Sequence, residues 1–425
     1  MRHHLDTETP RKLKRPVSVD HELSSIAIKM ESRLSIIGLK EYPNIGAVVG
    51  ICGSRNSLAK SVGTTKDGLI FKIAAALGAQ RKLKISDDAP FLANRVKTPE
   101  IAQHIPIPTF YGDERYLTSS ILIAKNGKTS QNMSFHRMMY LGKNRFSVRI
   151  TPRHLYEIYN HEENDLEVAV IMGVHPAVEI AAATSYTPDF DELKFASSLL
   201  DGIAVVEMGD LLVPVETEIV MHGRLTKDVA LEGPFVDLTG TMDIQRSQPI
   251  FECDELYYRN DPLFRVIVPG GIEHGMLMGI SQEPRIYRMI SNTVPSVKNV
   301  RLTEGGCCWL HGVASIKKRK EGDGKNTILA ALAAHPSMKR IIVVDDDIDI
   351  FDDRDVEWAL ATRFQSDRDL VVITNARGSS LDPSADLKNH STSKYGMDAT
   401  RPMDKEAELF KRVGPPLDLD PEDYL

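Results

Sequence analysis

The feature that most limits the fold is a run of strand patterns through the middle of the chain. In Arg145-Phe-Ser-Val-Arg-Ile-Thr151 and Glu216-Thr-Glu-Ile-Val-Met-His222, apolar and polar residues alternate, as in strands with one face buried. Leu166-Glu-Val-Ala-Val-Ile-Met172 is more continuously apolar and reads as a core strand. From about 111 to 300 such segments are separated by turns, with modest helical insertions such as the one beginning at Glu192. That spacing predicts a central sheet or barrel.

The flanks read differently. From about 21 to 110 the pattern is mixed α/β: Ile45-Gly-Ala-Val-Val-Gly-Ile-Cys52 is a buried strand, and Gly53 to Gly63 a turn and short helix. After about 301, Arg340-Ile-Ile-Val-Val344 and Val371-Val-Ile-Thr374 read as strands. Asp353 to Arg363 reads as a helix with acids in its first turn. The fold class is therefore mixed α+β, with domains expected at 21–110, 111–300 and 301–425. Residues 1–20 are polar and basic and are expected as a mobile arm. The tail from Gly414-Pro-Pro is expected to hug the surface.

A chain of 425 residues exceeds one ordinary core. Its net charge of -7 argues against nucleic acid as the main partner. Cys52, Cys253, Cys307 and Cys308 have no CxxC spacing, which fits reduced thiols rather than a metal ribbon. No apolar run reaches membrane-spanning length, and the first residues lack a signal-peptide core. A cytoplasmic protein is expected.

Chemistry concentrates at Leu231-Glu-Gly-Pro-Phe-Val-Asp-Leu-Thr-Gly240. Glu232 and Asp237, five positions apart, converge only if Gly233-Pro234 bends the chain. Paired carboxylates push their pKa values apart and suit proton transfer; a surface turn with incidental acids is the plainer alternative. Asn132-Met-Ser-Phe-His-Arg137 offers an oxygen ligand and a cation, with the His154 imidazole further on. Glu192 and Asn132 suit a hard divalent ion. Asp345-Asp-Asp347 invites a metal assignment but favours a structural role. Pro269-Gly-Gly-Ile-Glu-His-Gly275 reads as a flexible loop or lid, and Lys394 as a contact for phosphate.

Taken in order, these motifs resemble the UbiD family of decarboxylases, which use prenylated flavin mononucleotide. The likeness rests on Glu232-Gly-Pro-Phe-Val-Asp237, Pro269-Gly-Gly-Ile-Glu-His274, Val343 to Phe351, Glu357 to Arg363, Arg377 to Ser384 and Lys394 to Thr400. It implies a flavin-reductase-like split β-barrel flanked by α/β segments, and Arg137, Glu232 and Asp237 as the catalytic set. Asn132 and Glu192 would bind a divalent metal, manganese with potassium as a further ion, that holds the flavin phosphate. His154 would be the third ligand, with Arg153 competing for the place. Phe135, His136, Arg149, Ile150 and Thr151 would line the flavin, and Lys394 would reach its phosphate. A flavin prenyltransferase would supply the cofactor, and a homo-oligomer is implied.

Two departures from the family pattern bear on the substrate. Val236 stands where Gly is common, and His136 where an aromatic is common. This compact form resembles an archaeal branch that decarboxylates trans-anhydromevalonate 5-phosphate to isopentenyl phosphate, so extra cations are expected, with Arg149, Arg153 and His136 as candidates. A 4-hydroxybenzoate-type decarboxylase or carboxylase is the alternative enzyme. An inactive flavin-binding assembly protein is the alternative of another class. In the implied mechanism Arg137 holds Glu232 ionised and Asp237 protonates the carbon that loses carbon dioxide.

Overall fold

The structure, a computed structural model, describes residues 1–127, 130–386 and 388–413. The tail from Gly414 lies outside the described residues. The chain forms two compact units. Met1–Arg285 with Leu302–Trp309 and Ser380–Pro383 make the first; Ile286–Arg301, Leu310–Ser379 and the segment from Ser384 make the second.

The first unit is built on a nine-stranded sheet. Its hydrogen-bonded path runs Tyr116–Leu117, Met138–Gly142, Arg145–Val148, Arg246–Tyr258, Ile219–Glu232, Leu166–Met172, Ile121–Asn126 and Ser130–Phe135, and Asn94–Lys97 pairs on the Arg246–Tyr258 strand. The path is not closed: its end strands, Tyr116–Leu117 and Ser130–Phe135, are not neighbours in it. The core strand expected at 166–172 forms with those bounds and pairs antiparallel on both sides. Alternation sends Val168, Val170 and Met172 into one apolar core with Leu122, Phe146, Met221 and Phe251.

Smaller elements close around this sheet. Gly46–Val49 pairs with Ser35–Gly38 and, in parallel, with Leu263–Arg265. The segment expected as an arm forms a helix at Arg2–Thr7 and a short strand at Arg11–Lys12. Met1, His4 and Leu5 are buried. Its apolar residues are few, but they are enough to dock it.

The second unit has a five-stranded sheet ordered Val297–Leu302, His311–Ile316, Arg340–Asp345, Ser391–Ala399 and Leu370–Arg377. The helix expected at 353–363 forms there as Asp353–Arg363, its N-terminus capped by the Asp352 side chain.

Candidate active site

The long strand Ile219–Glu232 ends where Gly233 adopts φ +89°, a conformation open to glycine, and the chain reverses through Pro234. Phe235–Val236 then pairs antiparallel with Met242–Asp243. This hairpin carries Asp237 and Asp243, while Glu232 stays on the sheet. All three acids meet Arg137, which sits between the strands Ser130–Phe135 and Met138–Gly142.

Arg137 binds Glu232 by a fork of two hydrogen bonds, Nε to Oε1 at 2.8 Å and Nη2 to Oε2 at 3.1 Å. Its Nη2 also donates to Asp243 Oδ2 at 3.2 Å, and Nη1 lies 4.0 Å from Asp237 Oδ2. The guanidinium carbon sits 5.1 Å from the Phe235 ring centroid. Burial disfavours the Arg137 charge, but the Glu232 hydrogen bond and the surrounding carboxylates outweigh it and raise its pKa. Burial also disfavours the Asp243 carboxylate, yet hydrogen bonds from Arg246 and the Ile244 amide leave it below its ordinary range. Glu232 is fully buried, whereas Asp237 is about a quarter exposed.

Above this network lies a cleft of about 1220 Å³, open solvent included. Arg137, Asp237, Asn132, Phe135, His136, Arg149, Thr151, Arg153, His154 and Glu192 all line it, joined by His274 and Phe235. Glu232 lies behind Arg137. Ile150 is buried, and its amide donates to Gln248 Oε1.

Strand alternation puts Asn132 and Ser134 on one face, and the Ser134 hydroxyl lies 3.1 Å from Asn132 Oδ1 and within hydrogen-bond reach of His136, just past the strand end. His136 Nδ1 donates to the Arg149 carbonyl at 2.9 Å, and its Nε2 lies 2.9 Å from Ser134 Oγ. Burial lowers the His136 pKa to about 4. A neutral ring is no phosphate-binding cation at neutral pH, so of the three candidates only Arg149 and Arg153 carry charge.

Asp191 caps the helix Glu192–Leu199 and thereby holds Glu192 in its buried first turn. Met133 N donates to Glu192 Oε2 at 2.9 Å, and Asn132 Nδ2 to Oε1 at 3.3 Å. Burial raises the Glu192 pKa to about 8. His154 opens the helix His154–His161 on the same cleft.

Pro269–Gly275 is not a loop throughout. A helix runs Ile272–Ile280, with Glu273 and His274 in its first turn. Glu273 is structural: its carboxylate accepts from Arg265, Gly50 N and Cys52 N, all buried. Two glycines hid the helix start, because an N-terminal Gly pair reads like a connector. His274 Nδ1 accepts from Gly270 N at 3.1 Å, which leaves Nε2 as the protonated nitrogen of a neutral ring.

In the second unit, Asp345 and Asp347 both bind Arg363, at 2.8 Å each, which bears out the structural choice for that acidic triple. Lys394 is buried in that unit and donates to the Pro336 carbonyl. Burial lowers its pKa to about 8.

Sequence reasoning missed Tyr116, Ser134 and Asp243. Ser134 was within reach, two positions from Asn132 on a strand. Tyr116 and Asp243 gave no local signal, because tertiary pairing alone puts them beside Arg137.

Residues 83–272 match the 3-octaprenyl-4-hydroxybenzoate carboxy-lyase Rift-related domain, and residues 275–399 match the C-terminal domain of the same enzymes. The chain belongs to the UbiD family and is a carboxy-lyase. Among its relatives is the anhydromevalonate phosphate decarboxylase of Methanocaldococcus jannaschii, 48% identical over 86% of this chain and 89% of that protein. The enzyme of the same name from Methanothermobacter thermautotrophicus is 41% identical over 93% and 95%. The UbiD-class enzyme HmfF from Pelotomaculum thermopropionicum, solved with FMN, superposes with a TM-score of 0.95 at 32% identity, covering 100% of this chain and 99% of that one.

Proposed function

We propose that this protein is a prenylated-FMN-dependent, non-oxidative decarboxylase of trans-anhydromevalonate 5-phosphate, yielding isopentenyl phosphate. The observation that carries the reading is the posture of Arg137. Two of its nitrogens are committed to Glu232 and Asp243, while Nη1 turns toward Asp237 at the cleft. A substrate carboxylate placed against Nη1 sits beside the most exposed of the three acids. When carbon dioxide departs, Asp237 protonates the carbon left behind. The archaeal relatives support the substrate, and Arg149 and Arg153 supply the cations a phosphorylated acid needs.

The flavin, when bound, supplies the electron sink for decarboxylation. Phe135, His136, Arg149, Ile150 and Thr151 would hold it. In this reading residues 111–300 form the cofactor-binding domain, a split barrel, between α/β segments at 21–110 and 301–425. The residues present also fit a divalent ion. Glu192 is buried, is raised toward neutrality and meets no cation among the described residues, so it lacks the partner a buried carboxylate needs. Asn132 adjoins it, and His154 on the same cleft completes the set with manganese as the metal, since the cationic Arg153 has no lone pair to offer. A flavin prenyltransferase supplies the cofactor, and the working form is a homo-oligomer, as for the dimeric evolved HmfF.

The test is carbon dioxide release by protein co-produced with a flavin prenyltransferase, comparing anhydromevalonate phosphate with 4-hydroxybenzoate. Release from the first alone supports the reading. Release from hydroxybenzoate alone moves the enzyme to the aromatic-acid class, and release from neither overturns both.

A further inference from the structure

Tyr116 lies on a two-residue strand far from the acids in sequence, yet its hydroxyl touches both arms of the catalytic bend. The phenol donates to Glu232 Oε1 at 3.2 Å and accepts from Gly233 N at 3.2 Å. The ring is about 1% exposed and lies against Phe235, centroid to centroid 3.9 Å. Phe235 in turn underlies the Arg137 guanidinium. One side chain therefore holds the Glu232 carboxylate, the backbone that turns away from it and the ring beneath its cation.

The hydrogen inventory gives this contact a chemical meaning. Glu232 Oε1 receives the Arg137 Nε–H and the Tyr116 O–H, and Oε2 receives the Arg137 Nη2–H. A phenol has one proton, and the Gly233 amide occupies its acceptor side, so it has no free choice of direction. All three bonds are donated to the carboxylate, and each favours the ionised form. Burial, with Glu232 second, raises the Tyr116 pKa, so the phenol keeps its proton.

We infer that Tyr116 is a positioning residue that, with Arg137, fills the Glu232 carboxylate with donors and holds it in place, and so leaves proton delivery to Asp237. This rests on the proposed reading of Glu232 and Asp237 as the working acids. It adds a division of labour set from outside the Glu232–Asp237 motif.

Tyr116→Phe keeps the ring stack and removes only the hydroxyl. In the flavin-loaded enzyme the acid limb of the kcat/KM profile should move upward by about one pH unit, with kcat falling about tenfold, the usual effect of losing one hydrogen bond to a charged group. The flavin absorption spectrum should be unchanged. The double variant Y116F/E232Q separates this from a packing defect. If Tyr116 acts through Glu232, the double variant is no slower than E232Q alone, because the neutral amide of E232Q has no charge to hold.

An unmoved acid limb in Y116F, or additive losses in the double variant, overturns the inference while leaving the decarboxylase reading intact. An E232Q enzyme with wild-type kcat would instead remove the reading beneath it. If Y116F is poorly folded, the comparison of E232Q with the double variant in thermal denaturation still decides. Equal stability loss from the missing hydroxyl in the wild-type and E232Q backgrounds means a structural role and overturns the proposal.

Discussion

Removing Arg137 should produce a defect whose size depends on pH, and the structure sets the expected magnitude. Arg137→Ala strips the fork from Glu232, a carboxylate with no exposed side-chain surface, and leaves the Tyr116 hydroxyl as its side-chain donor among the described residues. An uncompensated buried charge of this kind costs about 3–5 kcal/mol. The protein can escape part of that cost by protonating Glu232 in the folded state. The folded-state pKa of the variant then lies above the unfolded value. The penalty is therefore absent below the unfolded carboxylate range and grows as pH rises through neutrality. Denaturant unfolding of wild type and R137A should diverge by about 3–5 kcal/mol at pH 8 and converge toward pH 4. Adding Glu232→Gln removes the orphaned charge, so R137A/E232Q should recover most of the stability at pH 8 without recovering carbon dioxide release. An R137A protein as stable as wild type at pH 8 would refute the reasoning, since Glu232 could not then depend on Arg137 for its charge.

Asp237→Asn should abolish decarboxylation while the flavin stays bound; near wild-type turnover would end its role as proton donor. Glu192, raised to about 8 by burial, makes the metal-free protein less stable as pH climbs from its unfolded carboxylate range to about 8. Chelator-treated protein should show that slope in denaturation experiments, and Glu192→Gln should flatten it. Arg363→Ala should destabilise the second unit by about 3–5 kcal/mol, because Asp345 loses a buried partner, and it should leave the flavin spectrum of the loaded enzyme unchanged. Replacing His136 with Phe should leave substrate affinity unchanged by charge, since the ring is already neutral at pH 7. A large KM rise confined to phosphorylated substrate would instead show a cationic role.

Glu232, Asp237, Glu192 and the cation of the site were legible because each sits in a short motif with a local reason for its composition. Gly233-Pro234 announced the bend, a helix was expected to begin at Glu192, and Asn132 and Arg137 flanked one strand end. His274 was visible but misplaced, since Gly270-Gly271 suggested a lid where a helix begins. The docking of residues 1–12 was unreadable from composition, because three buried side chains among polar neighbours carry no periodic signal. Asp243 and Tyr116 were invisible for a different reason. Asp243 reaches Arg137 only because Met242–Asp243 pairs back onto Phe235–Val236. Tyr116 reaches Glu232 from a strand more than a hundred positions earlier.

By itself, then, the sequence determined the strand-rich centre, the α/β flanks and the residue types of the active site, because periodicity and turn chemistry are local properties. The tertiary structure alone decided which acid is most open to the cleft, which is saturated with donors and which histidine stays neutral. Those depend on burial and on partners supplied from distant strands. The same three carboxylates differ in chemistry only because Arg137 and Tyr116 surround one of them and a cleft opens beside another.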